Sequence, residues 1–296
     1  MAYFQTYIHI CFFLPFVFSF QEQLQAPFYI DPIGIQINWT NPSDGWDAPT
    51  RKGHLELKNM TQYQRQVIPK LNPLGYKKVD IPPELYQKIL EDKSENIREE
   101  PCSTDFRLIR NCFKVNENGS YESNKNNWII DLKHPFVMDS VLEAYLRPIL
   151  EEWTNLKLRY LQRYGIRRYT RGARVWTHVD DVPDFVVGAI LQIDQKVEED
   201  WALNVLDHEG TPQRIVLKPG QMFIWESAAV PHGRQYALKG DYYDNLMVHF
   251  TSDVWEKYLK YVDVDVEVNT WMNQQRSSIF NELSMNINEL TYKSEL

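Results

Sequence analysis

The chain has 296 residues, 43% of them hydrophobic, which excludes the disordered class and leaves room for one large all-β catalytic domain or two small domains. A formal net charge of −8 argues against a generic nucleic-acid binder, which needs a basic face. It leaves a peptide or protein substrate open, and nothing in it sets an oligomeric state.

The first element is the apolar run Ile8 to Phe20, followed at once by Gln21-Glu22-Gln23. A bilayer span needs about 20 apolar residues, so residues 1–20 are expected to be a signal peptide rather than an anchor, with a buried strand as the alternative. Cleavage after Ser19 fits Val17 and Ser19 as the small residues, although no Lys or Arg precedes the run. No stable membrane insertion is expected once it is removed. Residues 21 to about 75, rich in Pro, Asn, Asp and Gly, read as loops and edge strands.

Three glycosylation acceptors, at Asn38, Asn59 and Asn118, agree with entry into the secretory pathway. Pro82-Pro83 opens a helix expected over Glu84–Arg98. From Cys102 to Asn127 the composition suits an exposed loop. With Cys11 assigned to the signal, Cys102 and Cys112 remain and read as one disulfide, two free thiols being the alternative. Residues 21–135 are therefore expected to form an N-terminal extension carrying a disulfide loop.

Leu142, Tyr145, Leu146, Ile149, Trp153, Leu156 and Tyr160 recur at steps of three or four, which predicts a helix over Asp139–Arg163. Pro148 should kink or split it. From Ile166 the period changes to short runs rich in Val, Ile, Tyr and Trp between turn residues. Eight strands follow, the last at Tyr243–Thr251. The fold class expected is mainly β with flanking helices, built on a double-stranded β-helix or jelly-roll core within a domain of residues 136–252. The extension 253–296 begins with a short helix near Asp253–Lys260. It ends in Lys293-Ser294-Glu295-Leu296, one residue from a retention tetrapeptide of the endoplasmic reticulum. The expected location is the lumen of that compartment.

The chemistry-bearing residues lie in the β region. His178 and Asp180 share one face of an extended chain, and His232 follows a later turn. Two imidazoles and one carboxylate on one side of an ion leave adjacent positions open, as in the facial triad of non-haem Fe(II) oxygenases. A His-x-Asp triplet alone is weak, since His54-Leu55-Glu56 offers a similar pattern; its place at the end of an early barrel strand is what gives it weight.

The segment Arg167 to Asp181 (RRYTRGARVWTHVDD) resembles the iron-ligand strand of prolyl 4-hydroxylase catalytic domains. Pro219 to Gly240 (PGQMFIWESAAVPHGRQYALKG) resembles their distal-histidine region. The resemblance covers roughly residues 165 to 252. It implies a dioxygenase with ligands His178, Asp180 and His232, using Fe(II), 2-oxoglutarate and dioxygen and admitting ascorbate. Proline in a peptide is the target it favours. Tyr169 stands where relatives carry a tyrosine of the keto-acid pocket, an ordinary core tyrosine being the alternative.

One departure matters. Collagen-type relatives place a lysine ten residues after the distal histidine to hold the C5 carboxylate of 2-oxoglutarate, and that position here is Tyr242. A phenol does not neutralise a buried carboxylate. Arg234, two residues beyond His232, is the first candidate for the missing charge; Arg174 is second and Lys239 third. His208 and His249 read as structural, Trp176 as packing, and Asn245 and Glu226 as partners for the ligand histidines. Against the dioxygenase stand two other readings: a non-catalytic jelly-roll binding module, and an oxygenase acting on another residue or a small molecule.

Overall fold

A computed structural model describes residues 28–34, 36–38, 58, 61–62, 64–66, 68–99, 113–115, 121–123, 127–180 and 184–254. The expected signal peptide, His54, Asn59, Cys102, Cys112, Asn118 and the terminal tetrapeptide lie outside the described residues. Among those described, no helix is long and apolar enough to cross a membrane.

The elements begin with β1 (Phe28–Ile30), β2 (Gln36–Asn38), β3 (Tyr76–Asp80), α1 (Pro83–Asp92) and β4 (Lys93–Glu99). A small hairpin, β5 (Phe113–Val115) and β6 (Tyr121–Ser123), precedes β7 (Asn127–Leu132), α2 (Pro135–Thr154) and β8 (Arg159–Thr170). The remaining strands are β9 (Val175–His178), β10 (Val187–Val197), β11 (Leu203–Leu206) and β12 (Pro212–Ile215). They are followed by β13 (Gln221–Trp225), β14 (His232–Arg234) and β15 (Gly240–Thr251).

The strands form a seven-stranded sheet, ordered β3-β13-β10-β15-β8-β7-β4, and a four-stranded sheet, β12-β11-β14-β9. Every pairing is antiparallel. Two such sheets face to face make the jelly-roll core expected from the sequence. The segment read as an N-terminal extension supplies β3, β4 and β7 to the large sheet, so it is part of the same body.

The period-two alternation of β15 shows how the sheets divide their faces. Leu246, Val248 and Phe250 point outward into the main apolar core, where they meet Leu142, Leu146 and Leu150 of α2. Asn245, Met247 and His249 point inward and line a cavity between the sheets. A second apolar cluster, including Ile190, Leu203, Val205 and Trp225, joins the two sheets beside that cavity.

Two helix boundaries differ from expectation. α1 stops at Asp92, because the apolar spacing that buries Leu85 and Ile89 ends there. Ile97 then pairs with Ile130 as a strand residue. α2 starts at Pro135 and ends where Asn155 turns left-handed, φ 55°. Leu156 and Tyr160 continue the helical spacing only by coincidence, since Tyr160 belongs to β8. Pro148 lies inside α2 without dividing it.

A buried carboxylate fastens α1 to the outer face of the large sheet. Asp244 is fully buried, takes two bonds from Arg168 at 2.7 Å each and faces Lys93 Nζ at 3.1 Å. Asp244→Ala is expected to cost about 3 kcal/mol, because it strips Arg168 of its paired carboxylate and leaves Lys93 only Asp194, at 4.0 Å. The loss sits at the low end of the range since Arg168 and Lys93 keep 21% and 23% exposure. Urea unfolding checks it; a loss under about 1 kcal/mol would show the network to be incidental.

Candidate metal centre and its cavity

β9 and β14 are neighbours in the small sheet, and their register places His178 directly opposite His232. Asp180 follows β9 just outside the ladder. The three side chains offer ligand atoms that all lie within 4.8 Å of one another. His178 Nε2 and His232 Nε2 stand 3.6 and 3.8 Å from Asp180 Oδ1. Neighbouring ligands on an octahedral ion with ~2.1 Å bonds lie roughly 3 Å apart, so a small contraction closes the set around one cation.

Glycine permits this approach. A Cβ on Gly233 would stand 2.8 Å from the Thr177 backbone nitrogen, so only glycine lets β14 lie this close to β9 beside both histidines. Gly188 does the same on the opposite wall, where a Cβ would meet Trp225 at 2.6 Å and His249 Nδ1 at 3.1 Å. Trp225 stands edge-on to both His232 and His249, with ring centroids 5.2 and 5.6 Å away.

Hydrogen bonds select the tautomers. His178 Nδ1 donates to the Trp176 carbonyl at 2.7 Å, leaving Nε2 as a lone pair facing Asp180. For His232 the Val230 carbonyl lies 3.0 Å from Nδ1 and the Trp225 indole nitrogen 3.3 Å. The nearer carbonyl takes the Nδ1 proton, and Nε2 is again free for an ion.

Charge states follow from burial and neighbours. Burial, with His178 adding to it, pushes the His232 pKa down to about 4, so the ring is neutral at pH 7. Burial also lowers the His249 pKa. Burial would raise the Asp180 carboxyl, but the contact with His178 and the imidazoles of His232 and His249 outweigh it and hold the group well below the usual carboxylate range. Asp180 therefore brings a negative charge and His232 a neutral ring, the protonation a cation requires of both.

Stability should follow the same titration. The unfolded chain takes up a proton at residue 232 near pH 6.5, whereas the folded chain does so only near pH 4. Stability of the EDTA-treated protein is therefore full above 6.5 and falls as the pH drops towards 4, by about 3 kcal/mol from this group. Urea titrations at pH 7 and pH 5 measure the drop. His232→Asn should reduce it, leaving the share that belongs to His249, and an unchanged slope in that variant would contradict the assignment.

Arg234 lies further along β14 and lines the same cavity. The residue is 3% exposed, and its guanidinium donates to the Trp201 carbonyl and lies 3.4 Å from the Tyr243 hydroxyl. It sits 4.5 Å from the Trp201 ring and 4.6 Å from the Tyr243 ring. Among the described residues no carboxylate pairs with it. A buried cation without an anion is costly, so this end of the cavity suits an anionic ligand.

The other candidates separate clearly. Tyr169 is buried, lines the cavity and packs against Trp201 with centroids 5.1 Å apart. Tyr242 is on the outer face of β15, where it bonds Asp194 and lies under Arg168, so it is removed from the pocket. Arg174 precedes β9 and does not line the cavity, because the bulge between Val175 and His178 shifts the parity and turns Val175, not Arg174, inward opposite Arg234. Lys239 is exposed and paired with Glu199 at 3.2 Å.

Four side chains fall differently from their sequence reading. His249 belongs to the site: its Nδ1 is 3.7 Å from Asp180 Oδ2, and both atoms are buried without a hydrogen-bond partner. Trp176 lines the cavity. Glu226 bonds His208 at 2.8 Å rather than a ligand histidine, and Asn245 bonds Gln192. Arg167, not singled out from the sequence, also lines the cavity, over the Tyr164 ring. The signal that would have found it and His249 is the inward face of β8 and β15, where Arg167 pairs with Asn245.

No family model and no curated protein matches the chain. Solved structures do. An oxidoreductase of the 2OG-Fe(II) oxygenase family from Burkholderia pseudomallei is 12% identical, over 66% of this chain and 89% of that one, with a TM-score of 0.43. A Pseudomonas putida prolyl-4-hydroxylase is 17% identical, over 64% and 98%, at 0.44. A prolyl hydroxylase from Trichoplax adhaerens, solved with a hypoxia inducible factor oxygen degradation domain peptide fragment, is 10% identical, over 69% and 95%, at 0.42. Likenesses this distant carry no argument about chemistry, which rests on the chain's own residues.

Proposed function

We propose that the protein is an Fe(II)- and 2-oxoglutarate-dependent dioxygenase that hydroxylates a peptidyl residue, with proline the favoured target. The observation that carries this reading is the convergence of His178, Asp180 and His232 in a cavity whose other end holds the buried cation Arg234. His232 and Arg234 lie two residues apart on β14 and line the same cavity, which places the guanidinium on the ligand side of the strand for a dicarboxylate bound at the ion.

Fe(II) bound there supplies the redox chemistry that couples oxidation of 2-oxoglutarate to succinate and carbon dioxide with transfer of one oxygen atom of dioxygen to a C–H bond. The chain's residues bind and orient. His178 and His232 present unprotonated Nε2 because their Nδ1 protons are committed to carbonyls. Asp180 supplies the charge that retains a divalent ion. Arg234 takes the C5 carboxylate as a planar two-pronged donor, in place of the lysine missing at Tyr242. Ile190, Leu203 and Trp225 keep water from the cavity wall, while Tyr164 and Phe185 flank His249 at 5.7 and 4.7 Å.

The preference for proline is supported by the likeness of residues 167–181 and 219–240 to prolyl 4-hydroxylase segments. The direct test is succinate release from 2-oxoglutarate with Fe(II), dioxygen and ascorbate as accessory reductant, followed by mass spectrometry of peptide libraries for one added oxygen. Turnover absent in the wild type would leave the non-catalytic binding module as the reading, and turnover equal in His178→Ala would remove His178 from the metal centre. The endoplasmic reticulum lumen is the location proposed with it, supported by the apolar run at residues 8–20, three acceptor asparagines and the KSEL terminus. Glycosidase treatment of the cell-derived protein should lower its mass, and an unchanged mass would count against that address.

A further inference from the structure

We infer that Gln64 is a positioning residue for the metal centre, its amide clamping together the two loops that carry Asp180 and His232; the inference rests on the proposed metal centre.

Asp180 lies beyond the end of β9, so its peptide groups have no place in the sheet ladder. Its N–H donates to the Ser227 carbonyl at 2.9 Å. Its carbonyl is met by Gln64 Nε2 at 2.6 Å, and the same nitrogen reaches the Ala228 carbonyl at 2.9 Å. Ala228 belongs to the turn that leads into His232, where the N–H groups of Ala229 and Val230 both return to the Glu226 carbonyl at 2.9 Å.

Two carbonyl oxygens facing one point repel each other and need a donor with two hydrogens between them. A primary amide nitrogen has two, and here both are used. Gln64 is 1% exposed, so solvent does not take its place at no cost. Because both peptide groups around the Asp180 Cα are held, the direction of its carboxylate is set before an ion arrives. The same bridge sets the distance from Asp180 to the turn that aims His232. Gln64 touches neither ligand side chain nor cavity; it acts through the backbone of one ligand and the approach to another.

A control lies one residue away. Arg65 ties the same segment to the Asp207 carbonyl, on a loop that carries no ligand. Losing it loosens the segment without touching the Asp180 or Ala228 carbonyls.

The test is Co(II) binding by the full chain, followed by calorimetry and by the visible spectrum of the bound ion, with urea unfolding in EDTA to score the folded fraction. Gln64→Ala should weaken Co(II) binding about tenfold or more, in line with other groups that orient metal ligands, and should alter the spectrum. Gln64→Glu, similar in size but presenting an oxygen to both carbonyls, should weaken it at least as much; this variant serves if the alanine form does not fold. Arg65→Ala should stay within about twofold of wild type, whatever stability it loses. Wild-type affinity and spectrum in both Gln64 variants would overturn the inference alone, as would an equal loss in Arg65→Ala. Failure of the wild type itself to bind Co(II) would overturn the metal centre and the inference with it.

Discussion

Asp180→Asn is expected to abolish metal binding at the His178–Asp180–His232 centre and to lower succinate release at least about 100-fold, beyond what the loss of an outer-shell partner costs. The carboxylate is the only anion among the three ligands. Its ionisation is held against burial by the contact with His178 and by His232 and His249, and an amide offers the ion no charge. Asparagine fills nearly the same volume, so the variant should keep the fold of the wild type. Calorimetric titration with Mn(II) or Co(II), read beside circular dichroism, separates lost binding from lost structure. Wild-type affinity in a folded Asp180→Asn protein would remove Asp180 from the centre.

Arg234→Met is expected to weaken 2-oxoglutarate binding by about 30- to 1000-fold, the equivalent of about 2–4 kcal/mol for removing one partner of a buried charge pair. The sign on stability should be the opposite. In the ligand-free protein Arg234 is a buried cation whose partners among the described residues are a carbonyl, a phenol and two aromatic faces. Replacing such a charge with an apolar side chain of similar length is often neutral or stabilising. Arg234→Lys should fall between, keeping charge but losing the planar fork. Apparent 2-oxoglutarate affinity, measured with Mn(II) present, distinguishes the three forms. An unchanged value in Arg234→Met would assign the C5 carboxylate to another group.

Much of this was readable in the sequence, and the reason is strand periodicity. His178, Asp180, His232 and Arg234 are placed by the rule that residues two apart share a face, and the structure puts all four on one cavity. The same rule selected Arg174, but a bulge between Val175 and His178 resets the parity within β9. A count along the chain selected Tyr242, on the face of β15 that looks away from the pocket. Counting residues is no substitute for knowing which face a strand presents.

What stayed hidden depends on long-range register. His249 reaches Asp180 only because β15 lies between β10 and β8 at a particular depth, and no local pattern records that depth. Gln64 bonds residues 116 and 164 positions away, from a segment that reads as loop. The α2 boundary was missed because apolar spacing ran on past Asn155, although the left-handed cap there ends the helix. The large sheet also draws β3 and β7 from residues to which the sequence assigned no element, and β4 from the second half of the helix expected over Glu84–Arg98.

The central claim is that two imidazoles and one carboxylate hold a single divalent ion in this cavity. Crystals soaked in Co(II) or Mn(II), with diffraction recorded at the absorption edge of that metal, test it most directly. The expected result is one anomalous peak bonded at about 2.1 Å to Nε2 of His178, Nε2 of His232 and a carboxylate oxygen of Asp180, with the remaining positions open to solvent or 2-oxoglutarate. An empty centre, or a peak bonded by other residues, would contradict it.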